Sequence, residues 1–281
     1  MLVSNLANPF FEEVARGADD EARKHDHVLL LVNSRDDPDR EREHIRFFDS
    51  YKVNGVLAAP VADVPPELLD LAARGTPFVS LGQSPPESYY PAISGDNTTG
   101  GRLAIEHLIA QGRRRLLFVG GSHPHVALRA EGAREAAHTV HGVHLRELRV
   151  ERQTAEAGRS VGQQLLSAPR SELPDGIFAG NDLLALGVLH ELLAHGVRIP
   201  HDVSLVGYDD IEFARIAIVP LTSVRHPSHT MGQNAVAVLL GHEKPPATSQ
   251  EWNSRFAPEL IIRETSLPQL PDLVQTAHAG S

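Results

Sequence analysis

The chain alternates short apolar runs with stretches in which apolar residues recur every three or four positions. Leu2-Val3 has the character of a strand stub, and VLLLV at 28–32 reads as a buried parallel strand. Further strand-length runs lie at 56–59, 77–81, 116–119, 145–150, 176–179 and 203–206. Phe11, Val14, Ala15, Ala18 and Ala22 fall at helical spacing after Asn8-Pro9. Pro38 opens a charged helical stretch with Ile45 and Phe48, and Pro65-Pro66 opens another with Leu68, Leu69 and Ala72, capped by Gly75. Asp96 or Asn97 can cap a helix whose stripe holds Ile105, Leu108 and Ile109. The alternation then repeats, with helices over 127–137 and 155–166 and one carrying Ala185, Val188, Leu189 and Leu192. Two successive βαβα blocks of similar size predict an α/β fold of two doubly wound parallel sheets. A single (β/α)₈ barrel is the alternative, ranked lower because segments after 210 break the strict alternation.

Open parallel sheets bind small ligands at the carboxyl ends of their strands, so the residues just after each run matter most. Phe10 and Phe11 follow the first strand, Asp96 and Asn97 the run ending near Ser94, and Arg129 lies beyond Gly120-Gly121. Asn181 and Asp182 follow the run ending at Ala179, and Asp209 and Asp210 follow Val206. Carboxylates accept from hydroxyl groups, Arg and Asn donate, and aromatic faces cover an apolar ring face, which together suit a polyhydroxylated ligand. Each residue also has a plain structural reading. Phe11 falls on its helix's apolar stripe, whereas Phe10 lies off it. Asp96 and Asn181 can be helix caps. Asp182 and Asp210 are better read as caps or supports. Asp209 and Arg129 have the weakest structural explanations and are the strongest candidates.

Composition narrows the field. No apolar run in the 281 residues approaches the roughly 18 needed to span a bilayer, so no membrane role is expected. No basic segment followed by an apolar stretch opens the chain. The absence of Cys excludes disulfides, thiolate metal sites and Cys nucleophiles and fits a cytoplasmic protein. A net charge of −10 opposes non-specific attraction to a phosphate backbone. Sixteen His residues include His25-x-His27, His123-x-His125 and His141-x-x-His144, none with a third ligand at recognised spacing. No P-loop, GxGxxG or GxSxG pattern is present. Asp209-Asp210 has no nucleophile beside it, so binding is preferred to catalysis. No enzyme activity, cofactor or metal is expected, and Arg113-Arg114-Arg115 reads as a solvated helix end.

Seven segments in order carry a resemblance: NPFF at 8–11, DNTTGGRLAIEHL at 96–108, RAEGAREA at 129–136, AGNDLLALGVLHEL at 179–192, IPHDVSLVGYDD at 199–210, PLTSVRHP at 220–227 and ELIIRETS at 259–266. Over nearly its whole length the chain resembles the effector-binding core of the LacI/GalR family of bacterial transcription regulators, a periplasmic-binding-protein-like fold. The family's N-terminal helix-turn-helix has no counterpart in these residues, so operator DNA is an expected partner only through a module outside them. The resemblance implies two subdomains joined by three crossovers, 1–111 plus 228–242 and 112–227 plus 243–281, closing on a small metabolite. It implies an aromatic wall of Phe10 and Phe11, polar contacts from Asp96, Arg129, Asn181 and Asp209, and a hinge contact from His226. It also implies a homodimer. Two departures touch the pocket's identity: Gln153 stands where many members carry an aromatic residue, and LGQ at 81–83 replaces an Asp-containing stretch. A more polar pocket suits a sugar or sugar phosphate better than a purine. A sugar-binding transport protein is the alternative reading.

Overall fold

The computed structural model describes residues 1–82, 90–241 and 253–267. The elements run β1 (Leu2–Val3), α1 (Pro9–Lys24), β2 (Val32–Asn33), α2 (Pro38–Ser50), β3 (Val56–Ala58), α3 (Pro66–Ala73), β4 (Phe78–Ser80), β5 (Ala92–Gly95) and α4 (Asn97–Ala110). They continue with β6 (Arg115–Gly120), α5 (Pro124–His138), β7 (His144–Arg149), α6 (Ala155–Leu166), a 3₁₀ turn Arg170–Glu172, β8 (Gly176–Ala179), α7 (Asp182–Ala194) and β9 (Ser204–Tyr208). Last come α8 (Glu212–Ile216), β10 (Thr222–Arg225), α9 (Ser228–Leu239), β11 (Asn253–Phe256) and β12 (Glu259–Ile261). Two six-stranded sheets form, ordered β11-β5-β4-β3-β1-β2 and β12-β10-β9-β8-β6-β7. All pairings are parallel except β10 with β12. This is the two-sheet α/β architecture expected from the alternation, and the single barrel is excluded.

The chain divides into two compact units. The first comprises the described residues of Met1–Asn97, His123–His125 and His226–Pro258; the second holds 98–122, 126–225 and the described residues from Glu259 on. Three expected boundaries are corrected, the smallest being that His226 and Pro227, expected in the second subdomain, belong to the first unit. Helix α4 was expected with the first subdomain, but its Ala104, Ile105 and Leu108 are packed in one cluster with Leu116, Phe118, Val206, Tyr208 and Val224 of the second sheet. Residues 243–258 were expected in the second subdomain, but β11 pairs with β5 from Asn253↔Ala92 to Phe256↔Gly95 and completes the first sheet. Residues 243–252 and 268–281 lie outside the described residues.

The strand expected over 28–32 is also corrected. Only Val32–Asn33 form β2, and Val28 is 84% exposed, with Leu30 and Leu31 exposed as well. The reason is the ladder. β2 is an edge strand whose one neighbour, β1, contributes Leu2 and Val3 opposite Val32 and Asn33. Opposite the 28–31 segment stands Met1, whose amine donates to the Leu30 carbonyl at 2.5 Å. Burial lowers that amine's pKa to about 5, because an ammonium out of water is disfavoured.

Helices pack over each sheet through reciprocal glycine contacts. In the first unit, a Cβ on Gly17 of α1 would stand 1.9 Å from the His229 carbonyl oxygen of α9, and one on Gly232 of α9 would stand 2.0 Å from the Val14 carbonyl oxygen. In the second unit the same device joins α4 to α5, with Gly101 against the Arg129 carbonyl and Gly132 against the Thr98 carbonyl. It joins α6 to α7 as well, with Gly158 against Leu184 and Gly187 against Ala155. Each pair brings backbones together at a spacing only a residue without a side chain permits, and Cα–H···O contacts recur at such crossings.

Gly17→Ala and Gly158→Ala are expected to destabilise the protein by about 1–3 kcal/mol each through forced helix separation. Chemical denaturation midpoints check this.

Candidate functional site

In the first unit, α1 begins soon after β1 ends. Asn8 caps it, accepting from the Phe10 N–H at 3.1 Å, and Pro9 occupies the first turn where its missing N–H costs nothing. This start sets Phe10 and Phe11 side by side, rings edge to face with centroids 5.4 Å apart. Both rings are half-buried and both pack against the core of Val3, Val14 and Leu57. The expected contrast between a core Phe11 and a free Phe10 is therefore not present. Asp96 follows β5, half-buried, its N–H extending the ladder to the Phe256 carbonyl at 2.9 Å. His226 is buried, its ring lying against Gly95, where a Cβ would come within 2.3 Å. Ser80, at the end of β4, is fully buried with its hydroxyl lacking a hydrogen-bond partner. Gln83, one of the family departures, lies outside the described residues.

The second unit gathers more chemistry at the ends of its strands. Arg129 of α5 is buried. Its guanidinium carbon lies 3.5 Å from the centroid of the Tyr208 ring, Nη1 donates to the Gly180 carbonyl at 2.5 Å, and Nη2 stands 3.6 Å from Asp209 Oδ1. A cation over an aromatic face, with a carboxylate on its edge, is held in place without water. The Gly100-Gly101 pair of α4 makes this possible: a Cβ on Gly100 would lie 2.3 Å from the Tyr208 hydroxyl, and one on Gly101 would strike the Arg129 carbonyl. Tyr208 was not among the sequence candidates. It ends a strand beside the Asp pair, and that position directly after an apolar run is the one sequence signal it carries.

Asp209 and Asp210 both take left-handed backbone angles, φ 96° and 49°. Such angles cost about 1–3 kcal/mol in a residue other than glycine unless the surroundings impose them. The surroundings do. The Asp210 carboxylate accepts from Arg225 Nη2 at 2.6 Å and Nε at 2.7 Å, and pairs with Arg263 Nη1 at 2.6 Å. Its backbone N–H donates to the Ser223 hydroxyl oxygen at 3.0 Å. Asp182, fully buried at the start of α7, accepts from that same Ser223 hydroxyl at 2.7 Å and from the Ile211 N–H at 2.9 Å. Asp182 and Asp210 are thus supports, as expected. Burial, reinforced by the charges of Asp209 and Asp210, raises the Asp182 carboxyl well above 3.8 despite its hydrogen bonds.

Asn181 is the N-cap of α7, accepting from the Leu184 N–H at 2.9 Å, and its amide donates to the Gln153 carbonyl at 3.2 Å. Its structural duty is therefore observed, and one amide hydrogen remains for any other partner. Gln153 lies against Gly180, where a Cβ would meet its Oε1 at 2.3 Å, and that buried oxygen has no hydrogen-bond partner among the described residues. Among the described residues, no group of three His, Asp or Glu side chains could hold a metal ion. No helix is long and apolar enough to cross a membrane.

Comparison with known proteins gives this geometry a context. The family described as periplasmic binding protein-like domain matches residues 105–266. The ribose operon repressor of Bacillus subtilis is 31% identical over 250 residues, 86% of this chain and 72% of the repressor. The HTH-type transcriptional repressor PurR of Aliivibrio fischeri is 29% identical over 277 residues, 96% of this chain and 81% of PurR. Among solved structures, a LacI family regulator from Enterococcus faecium with bound ribose superposes with a TM-score of 0.83 at 28% identity, covering 95% of this chain and 97% of that one. A LacI family regulator from Lactobacillus casei with bound glucose gives 0.80 at 26% identity, covering 94% and 97%. Two parallel sheets with polar groups at their strand ends define a binding protein of the periplasmic-binding-protein-like class. Within that class the chain belongs to the LacI/GalR family of transcriptional regulators, and its residues form the effector-binding core.

Because the folded-state pKa of Asp182 is raised, its contribution to stability is fully present below 3.8 and is lost as pH rises through the raised value. Asp182→Asn keeps an acceptor for Ile211 and a donor for the Ser223 oxygen. Its stability relative to the parent protein is expected to grow as pH increases above 3.8, read by denaturant unfolding at stepped pH. Asp182→Ala, leaving both donors unsatisfied, is expected to cost about 2 kcal/mol or more at every pH.

Proposed function

We propose that this protein senses a small polyhydroxylated metabolite, a sugar, through residues at its strand ends, and that binding shifts a conformational equilibrium read by a DNA-binding module. The observation that carries the reading is Arg129: buried, stacked on Tyr208, bonded to Gly180 and paired with Asp209. A cation so fixed sets the direction of its guanidinium edge toward a ligand hydroxyl. Asp209 supplies an acceptor beside it, and the unpartnered Gln153 oxygen supplies another. Asn181 offers its last amide hydrogen. Within the first unit, Asp96 and His226 are polar candidates for sugar contact, and the Phe10–Phe11 pair offers aromatic faces suited to an apolar ring face. Relatives crystallised with ribose and glucose support the carbohydrate class. The regulator reading is preferred to a transport protein because the relatives are repressors. Effector binding changes the population of states by its differential affinity for them, and the protein acts in the cytoplasm without catalysing a reaction.

We further propose a homodimer. The second unit exposes Phe213, Ile216 and Ile218 within a few residues of one another, Ile218 being 91% exposed. The first exposes Val28, Leu30 and Leu31 just before its edge strand β2. Apolar patches of this kind mark association surfaces, and a second copy with the same patch is self-complementary about a two-fold axis.

Thermal-shift screening against ribose, glucose, cellobiose, sugar phosphates and nucleosides is expected to find a stabilising sugar. Arg129→Gln is expected to weaken that sugar about ten- to hundredfold by calorimetry, the worth of a hydrogen bond from a charged group. Unchanged affinity in this variant would remove Arg129 from the site. The pair Ile216→Glu and Ile218→Glu together is expected to convert a dimer to a monomer in light scattering, leaving the unfolding midpoint of the monomer intact.

A further inference from the structure

The second unit carries a basic hollow at the opposite ends of its strands from Arg129 and Asp209. It has a volume of about 270 Å³ and opens beside Arg115 at the start of β6, Arg170 in the 3₁₀ turn and Arg198 after α7. Leu173, Val197 and Val203, all buried, close its inner side. One carboxylate, Asp202, lines it, and that carboxylate is already committed: Arg198 donates to it from its backbone N–H at 3.0 Å and from Nε at 3.0 and 3.1 Å, with His201 Nδ1 at 3.1 Å.

The other two guanidinium groups keep their charge. Arg170 donates through Nη2 to the carbonyls of His195 and Gly196, at 3.1 and 3.4 Å, and has no carboxylate within ion-pair distance among the described residues. Arg115 donates through Nη1 to the Ser171 carbonyl at 3.3 Å, and its Nε stands 3.9 Å from Asp175. The carbonyl contacts hold each fork while leaving most of its five N–H donors unused. In a chain of net charge −10, this concentration of arginine runs against the overall field.

We propose that this hollow is a second ligand site, distinct from the effector site, that takes a dianionic phosphoryl group. Two forks from two elements, Arg115 and Arg170, converge on the hollow beside the Arg198–Asp202 pair, and together they match an acceptor with three or more oxygens better than a flat carboxylate with two. The apolar inner side accommodates the short carbon body of a phosphate monoester. The proposal does not depend on the sugar-sensing reading, because no residue is shared.

Calorimetry at constant ionic strength tests it, with inorganic phosphate, glycerol 1-phosphate and acetate as probes. Saturable one-site binding of both phosphates, and none of acetate, is expected. Tighter binding of the ester assigns the site to a phosphorylated metabolite, and equal binding assigns it to free phosphate. Arg170→Gln is expected to weaken phosphate at least tenfold and Arg170→Lys to fall between, each checked for folding by its melting curve. Arg115→Gln carries the same expectation if Arg170→Gln does not fold. Arg46→Gln, the same charge change on exposed α2, and Arg129→Gln are expected to leave phosphate affinity unchanged. Absence of saturable binding, equal binding of acetate, equal weakening by Arg46→Gln, or loss in Arg129→Gln with retention in Arg170→Gln each overturns the proposal.

Discussion

A buried carboxylate holds the turn on which the second unit's strand-end chemistry rests. Asp210, locked by Arg225 and Arg263, fixes two consecutive residues in left-handed conformation. Asp182 secures the residue that follows through the Ile211 N–H. The turn places the Asp209 carboxylate 3.6 Å from Arg129. Aspartate visits this backbone region more readily than most residues, but only a surrounding set of bonds keeps two in succession there. Asp210 is held by two arginines, the half-exposed Arg225 and the more enclosed Arg263, so the turn is fixed from two sides. The arrangement therefore trades stability for a fixed direction of one side chain.

Much of the fold could be read from the order of residues. Parallel strands buried on both faces announce themselves as short apolar runs, and β6, β8 and β9 fall where those runs lie. The boundaries of α6 and the start of α7 at Asn181 follow from capping chemistry. What escaped the sequence depends on partners far along the chain. VLLLV has the composition of a core strand, but composition does not say whether a neighbour exists on each side, and at the sheet edge one does not. The family resemblance put the first crossover after helix α4 and so assigned the helix to the first sheet. Its apolar stripe instead fits the second sheet, a fact that lives in shape and not in periodicity.

The strand-end residues divide in the same way. Arg129 and Asp209 were legible because nothing in local structure called for them, and they do meet in space. Asn181 and Asp182 were legible as helix-start residues, and that is what their bonds express. Tyr208 was hidden by its own burial, since a large aromatic at the end of an apolar run passes for core. Its second face carries the Arg129 guanidinium. Gly100 and Gly101 looked like ordinary small residues of a helix start, yet each answers a different partner, the Tyr208 hydroxyl and the Arg129 backbone.

The paired glycines at the three helix crossings bear on how this sequence can drift. Gly17 with Gly232, Gly101 with Gly132 and Gly158 with Gly187 leave no room even for a methyl group. No compensating change in a neighbouring side chain can help, because the obstruction in each case is main chain. Six positions thereby penalise any side chain at once, so a descendant of this gene that replaces one of them must tolerate a wider helix crossing.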